Sequence, residues 1–116
     1  NINNISIIAS SGKREDHTIG NIFSLFNYND INIRIYTDTG FFRCMHKNST
    51  IDSFKGQQIS IFPEKPNIKI ISKYLKYNFN KNSISPIYKG TLNESTGDTF
   101  QLNISHGSLL IFQTYE

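Results

Sequence analysis

Tryptophan is absent from this chain, cysteine and methionine occur once each, and proline three times. A single thiol, Cys44, excludes an internal disulfide, so the fold has to be held by a packed core. It leaves the compartment open, because many periplasmic and secreted domains carry no bridge. No apolar run approaches the ~18 residues of a membrane-crossing helix. The longest runs, such as Leu109-Leu110-Ile111-Phe112, have the length of a buried strand. Charge of either sign is sparse and scattered, with a formal net charge of +3. A nucleic-acid surface needs a denser basic stripe with stacking aromatics. The nearest approach, Lys73-Tyr74-Leu75-Lys76-Tyr77, is better explained as a solvated strand face, so no nucleic acid is expected as a partner. A nucleophile elbow, phosphate loop, HExxH motif and acidic cluster are all missing. The chain also opens on Asn1 without a charged or apolar leader, so an upstream signal peptide and lipidation segment are expected outside it.

What is present is alternation. In Ile31-Asn32-Ile33-Arg34-Ile35-Tyr36-Thr37 the isoleucines fall on one side of a period-two pattern and the polar residues on the other, as in a half-buried strand. Ile33 and Ile35 are therefore expected in the core and Asn32 outside it. Asp38-Thr39-Gly40 turns into a second alternating run, Phe41 to His46. Ile5 to Ser10, Gln58 to Phe62, Ile68 to Ile70, Lys73 to Phe79 and Ile87 to Leu92 read as further strands. Phe100 to Ile104 and Leu109 to Phe112, joined by Ser105-His106-Gly107, read as a hairpin. Ser49 to Phe54, closed by Gly56, has the spacing of one helical turn. Lys13 to His17 reads as loop, and Ile19 to Phe26 fits either a helix or a loop. These signals predict one all-β domain over residues 1–116: a two-sheet β-sandwich of about eight short strands with one short helical insertion.

Residues with chemistry are few. Cys44 and His46 share a strand face, but structural zinc wants four ligands and only one close pair exists. No metal, cofactor or catalytic residue is expected, and the chain is read as a non-enzyme. Four Asn-x-Ser/Thr matches, at Asn4, Asn48, Asn93 and Asn103, carry little weight in a chain with fourteen Asn.

The order of segments resembles the TssJ family of type VI secretion outer-membrane lipoproteins. The resemblance is carried by Ile5–Ser10, by Ile31–Tyr36 with its Arg34-Ile35-Tyr36 end, and by Phe41 with Ser49–Phe54. It continues through Ile59-Ser60-Ile61-Phe62-Pro63, Tyr74–Phe79, Ile87-Tyr88-Lys89, Phe100–Ile104 and Ser108–Phe112. It implies a transthyretin-like sandwich with a structural role and no catalysis, lipid-anchored to the periplasmic face of the outer membrane in a virulence-associated secretion complex. The implied partner is the periplasmic domain of the TssM-type inner-membrane protein, contacted by the connection between the first two strands, here residues 11–30. The residues agree on that segment: Ile22, Phe23, Phe26 and Tyr28 offer apolar anchors, and Lys13, Arg14, Glu15, Asp16 and His17 a charged rim. Alternatively, Ile22, Phe23 and Phe26 fold back as a flap over one end of the sandwich. Rival functions are a secreted or viral β-sandwich module that recognises a host receptor or glycan, and a small hydrolase on the same scaffold.

Overall fold

The computed structural model describes residues 4–8, 15–28 and 32–116. Two sheets make up the architecture, and the β-sandwich expected from the alternation is what they form. Ten strands follow in chain order: β1 (Asn4–Ile8), β2 (Asn32–Tyr36), β3 (Gly40–Met45), β4 (Ser49–Asp52), β5 (Gln58–Pro63), β6 (Ile70–Lys73), β7 (Asn80–Asn82), β8 (Asn93–Glu94), β9 (Thr99–Ile104) and β10 (Leu109–Thr114). The larger sheet has the order β1-β2-β3-β10-β5-β8 and the smaller β4-β9-β6-β7.

Between the sheets lies a core of Met45, Ile59, Ile61, Leu109 and Ile111 from one side and Ile51, Ile70, Phe100 and Leu102 from the other, with Ile68, Leu75 and Ile84 closing it. The larger sheet is covered on its second face too. Helix α1 (Glu15–Phe23) and the 3-10 helix Ser24–Asn27 connect β1 to β2, and Leu25 packs there on Ile33, Ile35 and Leu110, with Ile22, Phe26, Phe42, Cys44 and Phe62 around them. Burial on both faces explains the unbroken Leu109–Phe112 run. It also places Ile33 and Ile35 under the helical connection and not between the sheets. β1 and β2 pair in parallel, and a parallel pair requires a long crossover, commonly a helix. That requirement accounts for the length and apolarity of residues 9–31.

Several expected elements differ. Glu15 to His17 open α1 instead of a loop, and acidic side chains in a first turn suit the positive end of a helix. Ser49 to Asp52 is strand β4, paired with β9, because Thr50 and Ile51 are β-branched and only Ile51 is buried. Asn80 to Asn82, polar throughout, forms the short strand β7 beside β6. Phe100–Ile104 and Leu109–Thr114 are not a hairpin: β9 pairs with β4 and β6, whereas β10 pairs with β3 and β5. Ser105-His106-Gly107, with Gly107 at φ +72°, carries the chain across the core from one sheet to the other. Lys73 to Phe79 and Ile87 to Leu92 are not regular strands either, and these two stretches build the site described next.

Candidate functional site

At the β8 end of the sandwich, Tyr74–Tyr77 runs antiparallel to Asn93–Thr96 as a strap. Thr96 N donates to the Tyr74 carbonyl at 2.9 Å and Lys76 N to the Glu94 carbonyl at 2.8 Å, with Leu75 and Ser95 bridged between them. Asn93, 4% exposed, grips the next residue with its side chain: Nδ2 donates to the Tyr77 carbonyl at 2.9 Å, and Oδ1 accepts from Tyr77 N at 3.1 Å. The same Oδ1 takes the Glu94 amide at 2.9 Å.

The strap is fastened on both flanks. Asn78 Oδ1 accepts from Ser72 Oγ and Leu75 N, and Ser72 Oγ accepts from Phe79 N. Fully buried Ser95 meets Ser53 Oγ at 2.6 Å and donates to the Gly97 carbonyl. Its own amide and carbonyl are tied to Gln57 and Gly56. Buried polar groups that are fully satisfied rigidify what they join. Gly90, which ends the 3-10 helix Ile87–Gly90, is buried, and any Cβ there would run into the Ile61 carbonyl oxygen.

On this rigid base Lys76, Asn78 and Lys89 face water together with several large aromatic and apolar side chains. Tyr74 is 53% exposed, Tyr77 61% and Leu92 80%, and the 3-10 helix adds Ile87 and Tyr88. Tyr74 and Leu92 have φ of 68° and 64°, a region costly for bulky side chains and one that concentrates at ligand sites. Lys76 Nζ sits 5.5 Å from the Tyr77 ring centroid, so that ring already attracts a cation. Glu94 brings a half-buried carboxylate to the same strap, touched at 3.5 Å by Gln58 Nε2. The arrangement can stack a flat ring and balance a positive charge. Among the described residues no three of His, Cys, Asp and Glu come together in a way that could hold a metal ion.

The residues singled out in the sequence lie elsewhere. Lys13 and Arg14 fall outside the described residues. Glu15, Asp16 and His17 are exposed on the first turn of α1. Ile22 and Phe26 pack against the core under the helix, while Phe23 is 50% and Tyr28 46% exposed. Cys44 and His46 do share a face, with Sγ 4.0 Å from Nδ1, but Nδ1 is taken by Ser108 Oγ at 2.7 Å. Burial, with Glu64 nearby, pushes the Cys44 thiol up to about 12, so it is neither a ready ligand nor a nucleophile. The strap went unrecognised because its tyrosines and lysines alternate like a solvated strand. The positive φ values at Tyr74 and Leu92 have no glycine or asparagine to announce them.

The fold defines a two-sheet β-sandwich module that carries a tyrosine-bearing strap at one end. The chain belongs to the family described as thiamin pyrophosphokinase, substrate-binding domain, whose model matches residues 40–112. Solved structures agree on the fold. Thiamine pyrophosphokinase from Bacillus subtilis superposes with a TM-score of 0.82 at 21% identity, over 98% of this chain and 56% of that one. A probable thiamine pyrophosphokinase from Staphylococcus saprophyticus gives 0.71 at 24%, over 97% and 54%. Thiamin pyrophosphokinase from Candida albicans gives 0.79 at 16%, over 96% and 44%. The chain thus spans about half the length of the structures it matches. No curated protein matches it in sequence.

The family overturns the TssJ-like reading. The lipid anchor, the outer-membrane location, the TssM-type partner and the type VI secretion role fall with it, and the receptor- or glycan-binding alternative gains nothing. The non-enzyme expectation is corrected too, since the family takes its name from an enzyme. A strand-turn-strand order common to many sandwiches had carried the resemblance, without a motif specific to one family.

Proposed function

We propose that this chain is the thiamin-binding part of a thiamin pyrophosphokinase and that thiamin lies on the Tyr74–Tyr77 and Asn93–Thr96 strap. The observation that carries the reading is a rigid, tyrosine-bearing surface with a carboxylate, inside the span matched by the family model. Thiamin is a flat aminopyrimidine joined to a cationic thiazolium. Aromatic faces attract such a cation, and Glu94 supplies the opposite charge. Residues 1–116 act as one domain in this role, and diphosphoryl transfer belongs to a longer polypeptide of which such a domain is one part. The exposed side of residues 15–28, with Phe23 and Tyr28 its apolar members, is proposed as a contact surface for the remainder of that enzyme.

Calorimetric titration of thiamin into the chain tests the strap. Tyr77→Ala and Glu94→Gln are each expected to weaken binding about tenfold, in line with ~1.4 kcal/mol per decade, at an unchanged melting temperature. Thiamin affinity that survives a Tyr74→Ala/Tyr77→Ala double substitution would move the site off the strap.

A further inference from the structure

On the face of the larger sheet that looks toward the smaller one, Arg34 of β2 and Arg43 of β3 are direct cross-strand partners. Arg43 in turn sits opposite Ile111, a member of the inter-sheet core. Like charges placed directly opposite each other on a sheet repel, and here both side chains are half-buried. Among the described residues neither guanidinium has a hydrogen-bonded or ion-paired partner. Arg43 Nε is sealed from solvent and meets no acceptor. Asp52, on strand β4 of the smaller sheet, is close enough to favour the charged form of Arg43 but does not pair with it. Burial and Arg34 outweigh it, lowering Arg43 to about 10. Tyr36 also faces Arg43, and Arg34 lies 5.3 Å from the centroid of the Phe41 ring. That ring contacts Tyr36 and Tyr115, and Tyr115 is anchored by a 2.9 Å hydrogen bond from its hydroxyl to the Thr37 carbonyl.

A fold does not hold two unmatched guanidiniums side by side on half-buried sheet without cost. Neighbouring Arg forks match the oxygens of a tetrahedral dianion in charge and in donor geometry. A single carboxylate would leave one positive charge uncompensated. We propose that Arg34 and Arg43 form a second ligand site that takes a phosphoryl group, using the terminal guanidinium nitrogens that remain open. The aromatic cluster of Tyr36, Phe41 and Tyr115 fixes the Arg34 side of the site. This site is independent of the thiamin strap, which lies at the other edge of the same sheet, on β8.

The test is thermal melting of the whole chain in sodium diphosphate, against sodium chloride of matched ionic strength and against succinate. Diphosphate is expected to raise the melting temperature by several degrees more than chloride, as a ligand of the native state does. Arg34→Gln and Arg43→Gln should each abolish that increment while folding normally, since either removes the repulsion. A Tyr77→Ala control should keep it. Absence of the increment in the parent protein, or its persistence in both Arg variants, would overturn the site. An equal response to succinate would overturn the phosphoryl assignment in favour of a carboxylate partner. ADP separates the sources: a larger shift than diphosphate at equal concentration assigns the phosphoryl group to a nucleotide, and an equal or smaller one to the free anion.

Discussion

Asn93 holds Tyr77 by both ends of one amide, donating to its carbonyl at 2.9 Å and accepting from its N–H at 3.1 Å. A backbone segment outside any regular strand thereby acquires the hydrogen bonds that a sheet partner would have supplied. Asn93→Ala leaves the Tyr77 and Glu94 groups unmatched beside a buried position and should cost about 1–3 kcal/mol. Because the strap presents Tyr74 and Tyr77, thiamin binding should fall even where the protein remains folded. Chemical denaturation and titration on the same preparation check both, and an unchanged midpoint would show that the clasp contributes nothing.

Most of the sandwich was readable. β2, β5 and β9 alternate cleanly because every second side chain of each is buried, and Gly40 and Gly107 mark turns. Which sheet a strand joins was not readable. The Ser105-His106-Gly107 turn serves a hairpin and a crossing between sheets equally well, and the choice follows from Phe100 and Ile111 entering one core from opposite sheets. The strap misled for a related reason. Leu75, Tyr77 and Phe79 alternate like a strand, but only Leu75 is buried, and what shapes the segment is an asparagine sixteen residues away from Tyr77. Long-range side-chain hydrogen bonds leave no periodicity in a sequence. The helical spacing in residues 19–26 was visible. Its cause, a parallel β1–β2 pair, was not.

Two glycines should respond to alanine in opposite directions. A Cβ at Gly90 would collide with the Ile61 carbonyl oxygen and press on Ile84 Cδ1 at 3.2 Å. Backbone cannot step aside as a side chain can, so Gly90→Ala should lose about 1–3 kcal/mol. Gly20 sits exposed in α1 with nothing within 4 Å of the same added atom. There alanine removes backbone freedom from the unfolded chain, and Gly20→Ala should gain about 0.5–1 kcal/mol. Parallel urea titrations read both, and equal signs would contradict the packing described for Gly90.

Cys44 sets a dependence on alkaline pH. Its thiol is raised from 9.0 to about 12, chiefly by burial. A group whose folded value is raised adds stability that is fully present below pH 9 and is lost as pH climbs toward 12. Cys44→Ala should flatten that part of the stability profile. At pH 8 the folded thiolate is on the order of a thousandfold scarcer than in the unfolded chain. Iodoacetamide should therefore label the native protein slowly and the urea-unfolded protein fast, and equal labelling rates would mean the thiol is open to solvent.

The helical connection separates packing from contact. Leu25 is 2% exposed and stands on Ile33, Ile35 and Leu110, whereas Phe23, two residues earlier, is half in water with its ring centroid 6.3 Å from that of Phe26. Leu25→Ala opens a cavity over the larger sheet and should cost about 2–5 kcal/mol. Phe23→Ala removes surface that is already half solvated, so the loss should be about 1 kcal/mol or less. A hydrophobic side chain kept exposed at little benefit to the fold is suited to contact with another surface. In the enzyme proposed here that surface is the remainder of the polypeptide. Phe23→Ala in the full enzyme should then reduce turnover, while the melting temperature of the isolated domain falls by no more than a few degrees. A melting loss matching that of Leu25→Ala would make Phe23 part of the core, and the contact surface would have to be sought on another element.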